Sequence, residues 1–258
     1  MSGRGLLPRA GRYANLARDR RWQEGRVDSE ALAWWAGQLH EPPLSPLREL
    51  VRPRVQPATE PVSRIRESRR VAFALDAALA NGLRRLARDV GATPYMVVLA
   101  AFRVLLVRLT GQADICIGTP MTLRDSPDLK DIVGCLVNPV VLRNTVQIDQ
   151  SFQEHLHTER RTALDAFRFR DVPFSRIVEA VAPLRQLGEH PLFQILFSWE
   201  SATDPIRAGG IEHELISVPA ARQSYFDLEC AFQDAGDGAA LSGYFAWCGS
   251  VMEDWVGE

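Results

Sequence analysis

Lysine is nearly missing from this sequence. Lys130 is the only one, and every other member of the 30 basic residues is an arginine. Arginine codons are rich in G and C, so the bias reflects base composition and gives no sign of phosphate binding. The formal net charge of -2 argues against a strongly basic nucleic-acid binder. No two of the cysteines, Cys116, Cys135, Cys230 and Cys248, stand at C-x-x-C spacing. Three lie in apolar, strand-like runs, which implies core thiols in a reducing compartment. The start, MSGRGLLPRAGRYA, has too short an apolar stretch for a signal peptide. The longest strongly apolar run, Tyr95 to Val107, is too short to cross a membrane and contains Arg103. The expectation is a cytoplasmic protein with neither nucleic acid nor membrane as partner.

The usual catalytic frames are missing as well. There is no G-x-G-x-x-G, no G-x-x-x-x-G-K-[ST], no H-E-x-x-H and no G-x-S-x-G. His155 and His157 are two residues apart on a predicted helix, so they point to different faces and are expected at the surface. His40 falls at a helix end, His190 precedes Pro191 in a loop, and His213 lies between Glu212 and Glu214 in a predicted strand. No metal site and no directly bound cofactor is expected. Asp165 and Asp171 form a weak candidate carboxylate pair.

What is present is a well-patterned α/β chain of 258 residues, 46% hydrophobic. DSEALAWWAGQLH predicts a helix capped by Asp28 or Ser29, with Leu32, Trp35 and Leu39 on one side. Residues 41 to 70 carry six prolines and read as an extended connector. RRVAFALD predicts a strand with Val71, Phe73 and Leu75 on a buried face. Asp76 caps a helix with a stripe of Leu79, Leu83, Leu86 and Val90, stopped by Gly91. Thr93-Pro94 opens a second helix that is apolar nearly all round, and so is expected between layers. ADICIGTPM and GCLVNPVVLRNTV predict strands, the latter interrupted near Asn138-Pro139. SFQE at 151 to 154 has capping-box form and starts a helix to about Phe167. FSRIVEAV predicts a short helix. PLFQILFSWE, IEHELISV, YFDLECAF and SGYFAWCG predict strands. The order gives a mixed β-sheet packed with helices. We divide the chain into residues 1–70, a helical segment and Pro-rich connector, and residues 71–258, the main subdomain.

Several stretches, in this order, resemble the condensation domains of nonribosomal peptide synthetases. ATPYMVVLAAFRVLLVRLTGQADICIGTP resembles the family's long buried helix and the "TGQ-DI-VGTP" strand after it, with Gly118 and Pro120 in place. Arg124 follows, with Leu123 where the family favours glycine. LKDIVGCLVNPVVLR is similar to "ELE-LIG-FVNTLVLR", matching Gly134, Asn138 and Arg143, with Pro139 where the family favours threonine. FRFRDVPFSRIVEAV is similar to "HQDVPFE-LVE-L" through Asp171, Pro173 and Phe174, with Phe169 and Arg170 at its His-Gln positions. HPLFQILFSW is similar to "NPLFQVMF" over Pro191, Leu192, Phe193 and Gln194, and Asp227 sits in an FDL strand.

The resemblance implies one chloramphenicol acetyltransferase-like subdomain, the C-terminal half of a condensation domain, with the family's final helix expected to be missing. It implies amide formation between aminoacyl or peptidyl thioesters held on carrier proteins. The phosphopantetheine arms of those partner carriers are the only cofactor implied. The family's catalytic H-H-x-x-x-D-G is not in this sequence. The chain is therefore expected to be inactive alone, and to need an N-terminal condensation half, carrier proteins or other synthetase domains as partners. A non-catalytic docking module and a degenerate remnant are the alternatives. The motif residues named are expected to shape a cleft wall or the structure around it. The stretch FRFRDVPFSRIV is expected to be a structural corner.

Overall fold

A computed structural model describes residues 13–15, 28–47, 68–124, 127–182, 190–201, 207–208, 211–212, 224–236 and 238–249. Helix α1 (Ser29–Gln38) begins where the Asp28 carboxylate accepts the Glu30 N–H. Its Trp35, and Leu39 just after it, are fully buried. Strand β1 (Ser68–Leu75) leads through the Asp76 cap into α2 (Ala77–Asp89). Thr93 caps α3 (Pro94–Thr110), which Gly111 ends in left-handed conformation at φ 73°. There follow β2 (Asp114–Thr122), the single turn α4 (Pro127–Lys130), β3 (Val137–Thr145), α5 (Phe152–Arg168) and α6 (Phe174–Val181). Strands β4 (Ile195–Ser201), β5 (Arg207–Ala208), β6 (Ile211–Glu212), β7 (Leu228–Asp234) and β8 (Leu241–Cys248) complete the order.

Six strands make one mixed sheet in the order β1-β8-β7-β4-β2-β3. Strand β4 runs parallel to β2 and to β7, and the other pairs are antiparallel. The predicted α/β class is this fold. Strands β5 and β6 form a separate two-stranded pair. Helix α3 lies on one face of the sheet, with the Phe102 ring stacked on Phe197 at 5.7 Å and Tyr95 edge-on to Phe197 at 5.4 Å. Under α3 runs a buried ionic network. Arg103 on α3 and Glu159 on α5 form a two-toothed salt bridge at 2.8 and 3.0 Å with both side chains fully buried. The arginine also donates to the carbonyls of Ile115 and Leu142, while Asn144 donates to Glu159 and accepts from Thr162. All three guanidinium nitrogens donate, through four of the five N–H groups, which is what makes a dry charge tolerable.

Several expectations are corrected. His155 is buried, not on the surface. Its ring packs toward Glu159, with Nε2 4.0 Å from the carboxylate, and burial lowers its pKa. The stripe expected to bury α2 holds only in part, since Leu83 and Val90 pack half-buried against the core but Leu79 and Leu86 are exposed, while Ala80, Arg84 and Ala87 face inward. The cause is Arg84, which is drawn in to Asp234 at 2.6 Å and to the Ala239 carbonyl. Val71 is exposed because β1 is an edge strand. Helix α3 is buried all round only in its first half, and Leu105 and Leu109 are open. Strand β3 is not interrupted, for Pro139 pairs with Pro120 at the sheet's other edge, where a missing N–H is tolerated. Residues 191–194 and 225–227 precede their strands and are not in them. His213 and most of the connector lie outside the described residues. Cys116, Cys230 and Cys248 are buried as thiols, and Cys135 is exposed.

Candidate functional site

While Asn138 shares the α3 face of the sheet with Asn144, Gly118 and Arg143 point to the opposite face. The corner is where the chain crosses to it. Helix α5 ends at Phe169, and Pro173 stands at the N-cap of α6 with φ fixed at -56° and no side chain to cap with. The cap comes from elsewhere. Asn138 on β3 accepts the Phe174 N–H at 3.1 Å and donates to the carbonyls of Arg170 and Val172 at 2.7 and 2.8 Å. One buried amide thus satisfies three backbone groups of the RDVPF corner. Trp35 adds a fourth tie by donating Nε1 to the Phe169 carbonyl at 3.1 Å. The structural reading of the corner holds. Asp171 is exposed on it, and no hydrogen bond joins it to Asp165 among the described residues.

From the corner, Phe174 reaches an aromatic group made of His190, Phe193 and Phe226. His190 lies 3.9 Å from the Phe193 ring centre and 5.1 Å from that of Phe174, and Phe226 stacks on Phe193 at 5.5 Å. Phe193 lies over Gly118 so closely that a Cβ there would land on the ring. Glycine at 118 is therefore required by the phenylalanine of HPLFQ, which connects two motifs far apart in sequence. The Gln194 side chain donates to the His190 carbonyl at 2.6 Å. The Gln194 carbonyl accepts from the backbone of Asp227 and Leu228, and Asp227 accepts from Ser45 at 3.1 Å.

These contacts enclose a cavity of about 550 Å³, walled by Pro43, Leu44, Val181, Leu192 and Phe193 with Cys116 in its lining. That volume suits a small ligand. Its chemistry is neutral. Burial depresses His190 to about 4 and pushes the Cys116 thiol up to about 12, so neither is charged near neutrality. Arg143 holds one wall in place. It grips Asp114 with both Nε and Nη2, and donates to the carbonyls of Gln38, His40 and Glu41, which fixes the chain leaving α1. The hydrogen bonds to Asp114 raise its already high pKa.

The remaining motif residues serve the loop between β2 and β3, away from the cavity. Arg124 donates to the carbonyls of Leu129, Ile132 and Gly134, closing the loop on itself. Gly134 leaves room for the ring of Tyr13, which a Cβ would strike. Pro120 is exposed opposite Pro139. No group of three or more His, Cys, Asp or Glu side chains able to hold a metal occurs among the described residues. His190, Cys116 and Ser45 were not singled out from the sequence as site residues. His190 had a signal, since it directly precedes the PLFQ motif. Cys116 and Ser45 had none.

A mixed sheet packed with helices and held by this set of interlocked motifs defines a class of fold. The chain belongs to the Condensation domain family, which it matches over residues 7–244. It is 36% identical over 213 residues to surfactin synthase subunit 1 of Bacillus subtilis (strain 168), covering 81% of this chain and 6% of that protein. It is 32% identical over 259 residues to phosphinothricin tripeptide synthetase PhsC of Streptomyces viridochromogenes, covering 96% of this chain and 22% of that protein. In fold it is similar to the condensation domain from the Monacolin K polyketide synthase MokA, with a TM-score of 0.78, 24% identity, and coverage of 96% of this chain and 59% of that one. The chain thus spans less than a quarter of these curated synthetases and just over half of the solved domain. Among the described residues no single helix is long and apolar enough to cross a membrane.

Proposed function

We propose that this chain supplies the C-terminal half of a condensation site that forms amide bonds between carrier-bound aminoacyl or peptidyl thioesters. In that reaction the amine nitrogen of one substrate attacks the thioester carbonyl of the other. The C–N bond forms, the C–S bond breaks, the thiol leaves, and the proton lost by the amine ends on it. The observation that carries the reading is the family match over residues 7–244, whose motifs interlock, Asn138 holding the RDVPF corner and Phe193 lying over Gly118.

These 258 residues do not supply the group that handles the amine proton. No adjacent histidine pair occurs in the sequence. Of the four described histidines, His155 is sealed beneath α3, His190 is wedged among phenyl rings, His157 is exposed, and His40 is exposed at the cavity's rim with no carboxylate paired to it among the described residues. A placed base or acid is worth about 10² to 10⁴ in rate. The chain's own contribution is a rigid wall that positions substrate and excludes water. Its partners are carrier proteins, whose phosphopantetheine arms present the thioesters, and a segment bearing H-H-x-x-x-D-G, in a cytoplasmic synthetase.

The test is reconstitution. The chain is co-expressed with an N-terminal condensation half bearing that motif, pulled down, and supplied with two carrier-bound aminoacyl thioesters. Association with dipeptide formed only by the pair supports the proposal. Association without product shifts the reading to a docking module, for which the exposed Leu79, Leu86, Leu105 and Leu109 offer surface. Dipeptide formed by the chain alone overturns the division of labour.

A further inference from the structure

The walls of the cavity beside the corner are held in place without a ligand. Segment 40–46 forms part of the lining and is tied from three directions. Arg143 donates to the carbonyls of His40 and Glu41, Gln112 Nε2 donates to the Leu44 carbonyl at 3.0 Å, and the Ser45 hydroxyl donates to Asp227. Pro42, Pro43 and Pro46 stiffen the same segment, since each ring fixes its φ. The end of α6, Val181 and Ala182, forms another part. Among the described residues two that are not glycine are left-handed, Glu41 at φ 46° and Ala182 at φ 44°, and both line this cavity. A costly backbone conformation persists where its surroundings impose it, and such residues cluster at ligand clamps. A space whose walls are ordered beforehand is set to receive a ligand.

The lining defines what fits. Cys116, Leu192 and Phe193 are buried and make the floor, while His40, Glu41 and Leu44 are exposed and make the rim. Pro191 joins the three prolines of segment 40–46, and with the rings of His190 and Phe193 they give flat, rigid walls. Flat walls fit a flat group. Aromatic rings gain from offset or edge contacts with one another, and a ring gives up little rotational freedom on binding. The floor has no charged side chain, so an ion drawn into it would lose water and find no counterion. A void of about 150 Å³ accepts benzene. The 550 Å³ here takes a ring together with part of the backbone that carries it. We propose that this cavity is a pocket for a neutral aromatic side chain, seated ring-first against Leu192 and Phe193 with its peptide backbone at the rim. The inference rests on the condensation reading only for the ligand's parent, which is then an aminoacyl or peptidyl substrate.

The test needs neither carrier nor partner half. N-acetyl-L-phenylalanine methylamide is titrated into the ¹⁵N-labelled chain, beside its leucine, alanine and lysine analogues. The expected result is saturable shifts confined to the amides of 40–45, 116, 181–182 and 190–194. The leucine probe should bind several-fold more weakly, and the alanine and lysine probes at least tenfold more weakly. Val181→Phe puts a ring of the chain's own into the space and should weaken the phenylalanine probe at least tenfold, with a thermal melt to show that the variant folds. Leu44→Ala trims the exposed rim and should weaken it several-fold. Leu79→Ala, at an exposed leucine on α2 that does not line the cavity, should leave it unchanged. No saturable shift, shifts elsewhere, or equal binding of any analogue overturns the pocket. So does a folded Val181→Phe chain that binds as before; if that variant does not fold, unchanged binding by Leu44→Ala overturns it instead. Such a failure leaves the amide-forming assignment standing. Conversely, a failed reconstitution with intact aromatic binding sinks that assignment and keeps the pocket.

Discussion

The sealed network under α3 and the walls around the corner and cavity are held by different physics. Under α3 the charges are paired with each other and sealed from water, as in Arg103 with Glu159. Around the corner, the cavity and the β2–β3 loop the polar side chains grip backbone, and Arg143 does so while also paired with Asp114. Asn138 holds the corner, Arg143 the chain leaving α1, and Arg124 its own loop, chiefly through carbonyl oxygens. A charge sealed in a core makes the fold intolerant of losing one partner, but it shapes no surface. A side chain that ties backbone fixes where loops lie, which is what a wall around a cavity needs. The difference teaches that the family's motif residues there are conformational fasteners before they are anything else.

The comparison breaks most easily at the sealed pair. Arg103→Met leaves Glu159 charged and buried, and should lose about 3–5 kcal/mol in urea unfolding. A loss below about 1 kcal/mol would erase the contrast between the two regions. Gly118→Ala comes next. The new Cβ meets Phe193, and overpacking of this kind destabilises by about 1–3 kcal/mol. Adding Phe193→Leu should return part of the loss, a coupling that a double-mutant cycle reads directly. Asn138→Ala frees the Phe174 N–H and two carbonyls at the corner. It should lose about 1–3 kcal/mol and open the segment 169–174 to proteolysis. It should also weaken the reconstituted reaction, measured on variants whose folding has first been checked.

The smallest effect sharpens the comparison by pH. His190 titrates at about 4 when folded against an ordinary value of 6.5, because burial disfavours the imidazolium. Between those values the unfolded chain binds more protons than the folded one, so stability is whole above about 6.5 and falls as the pH drops toward 4. His155 is shifted in the same direction by its own burial. His190→Phe should flatten part of the acid limb in pH-resolved thermal melts, and leave the share that belongs to His155.

Much of this fold could be read from local chemistry. Caps at Asp28, Asp76, Thr93 and Ser151 announced four helix starts, because a cap is a contact within three residues. The corner at 167–178 was read correctly as a corner. What the sequence could not show was which polar residue a distant partner would pull inward. Arg84 rotates α2 because Asp234 waits 150 residues away. His155 is buried because α5 packs against α3, which its i, i+2 neighbour could not reveal. Asn138 looked like a strand breaker beside a proline, and is the cap that α6 lacks in its own sequence. Phe169 stands where the family favours histidine, and its ring lies 5.1 Å from Trp34, so packing absorbs that departure.

The facing prolines at 120 and 139 have a further consequence. Strand β2 pairs with β4 only through Ile117 and Gly118, so beyond that point β2 and β3 continue as a two-stranded ribbon. A ribbon with two open rims is a template on which a stray chain could add a strand. Here each rim has a rung with no N–H to offer, at the same height on both strands. An incoming strand loses its register there, so the ribbon can stand clear of the sheet without seeding fibres.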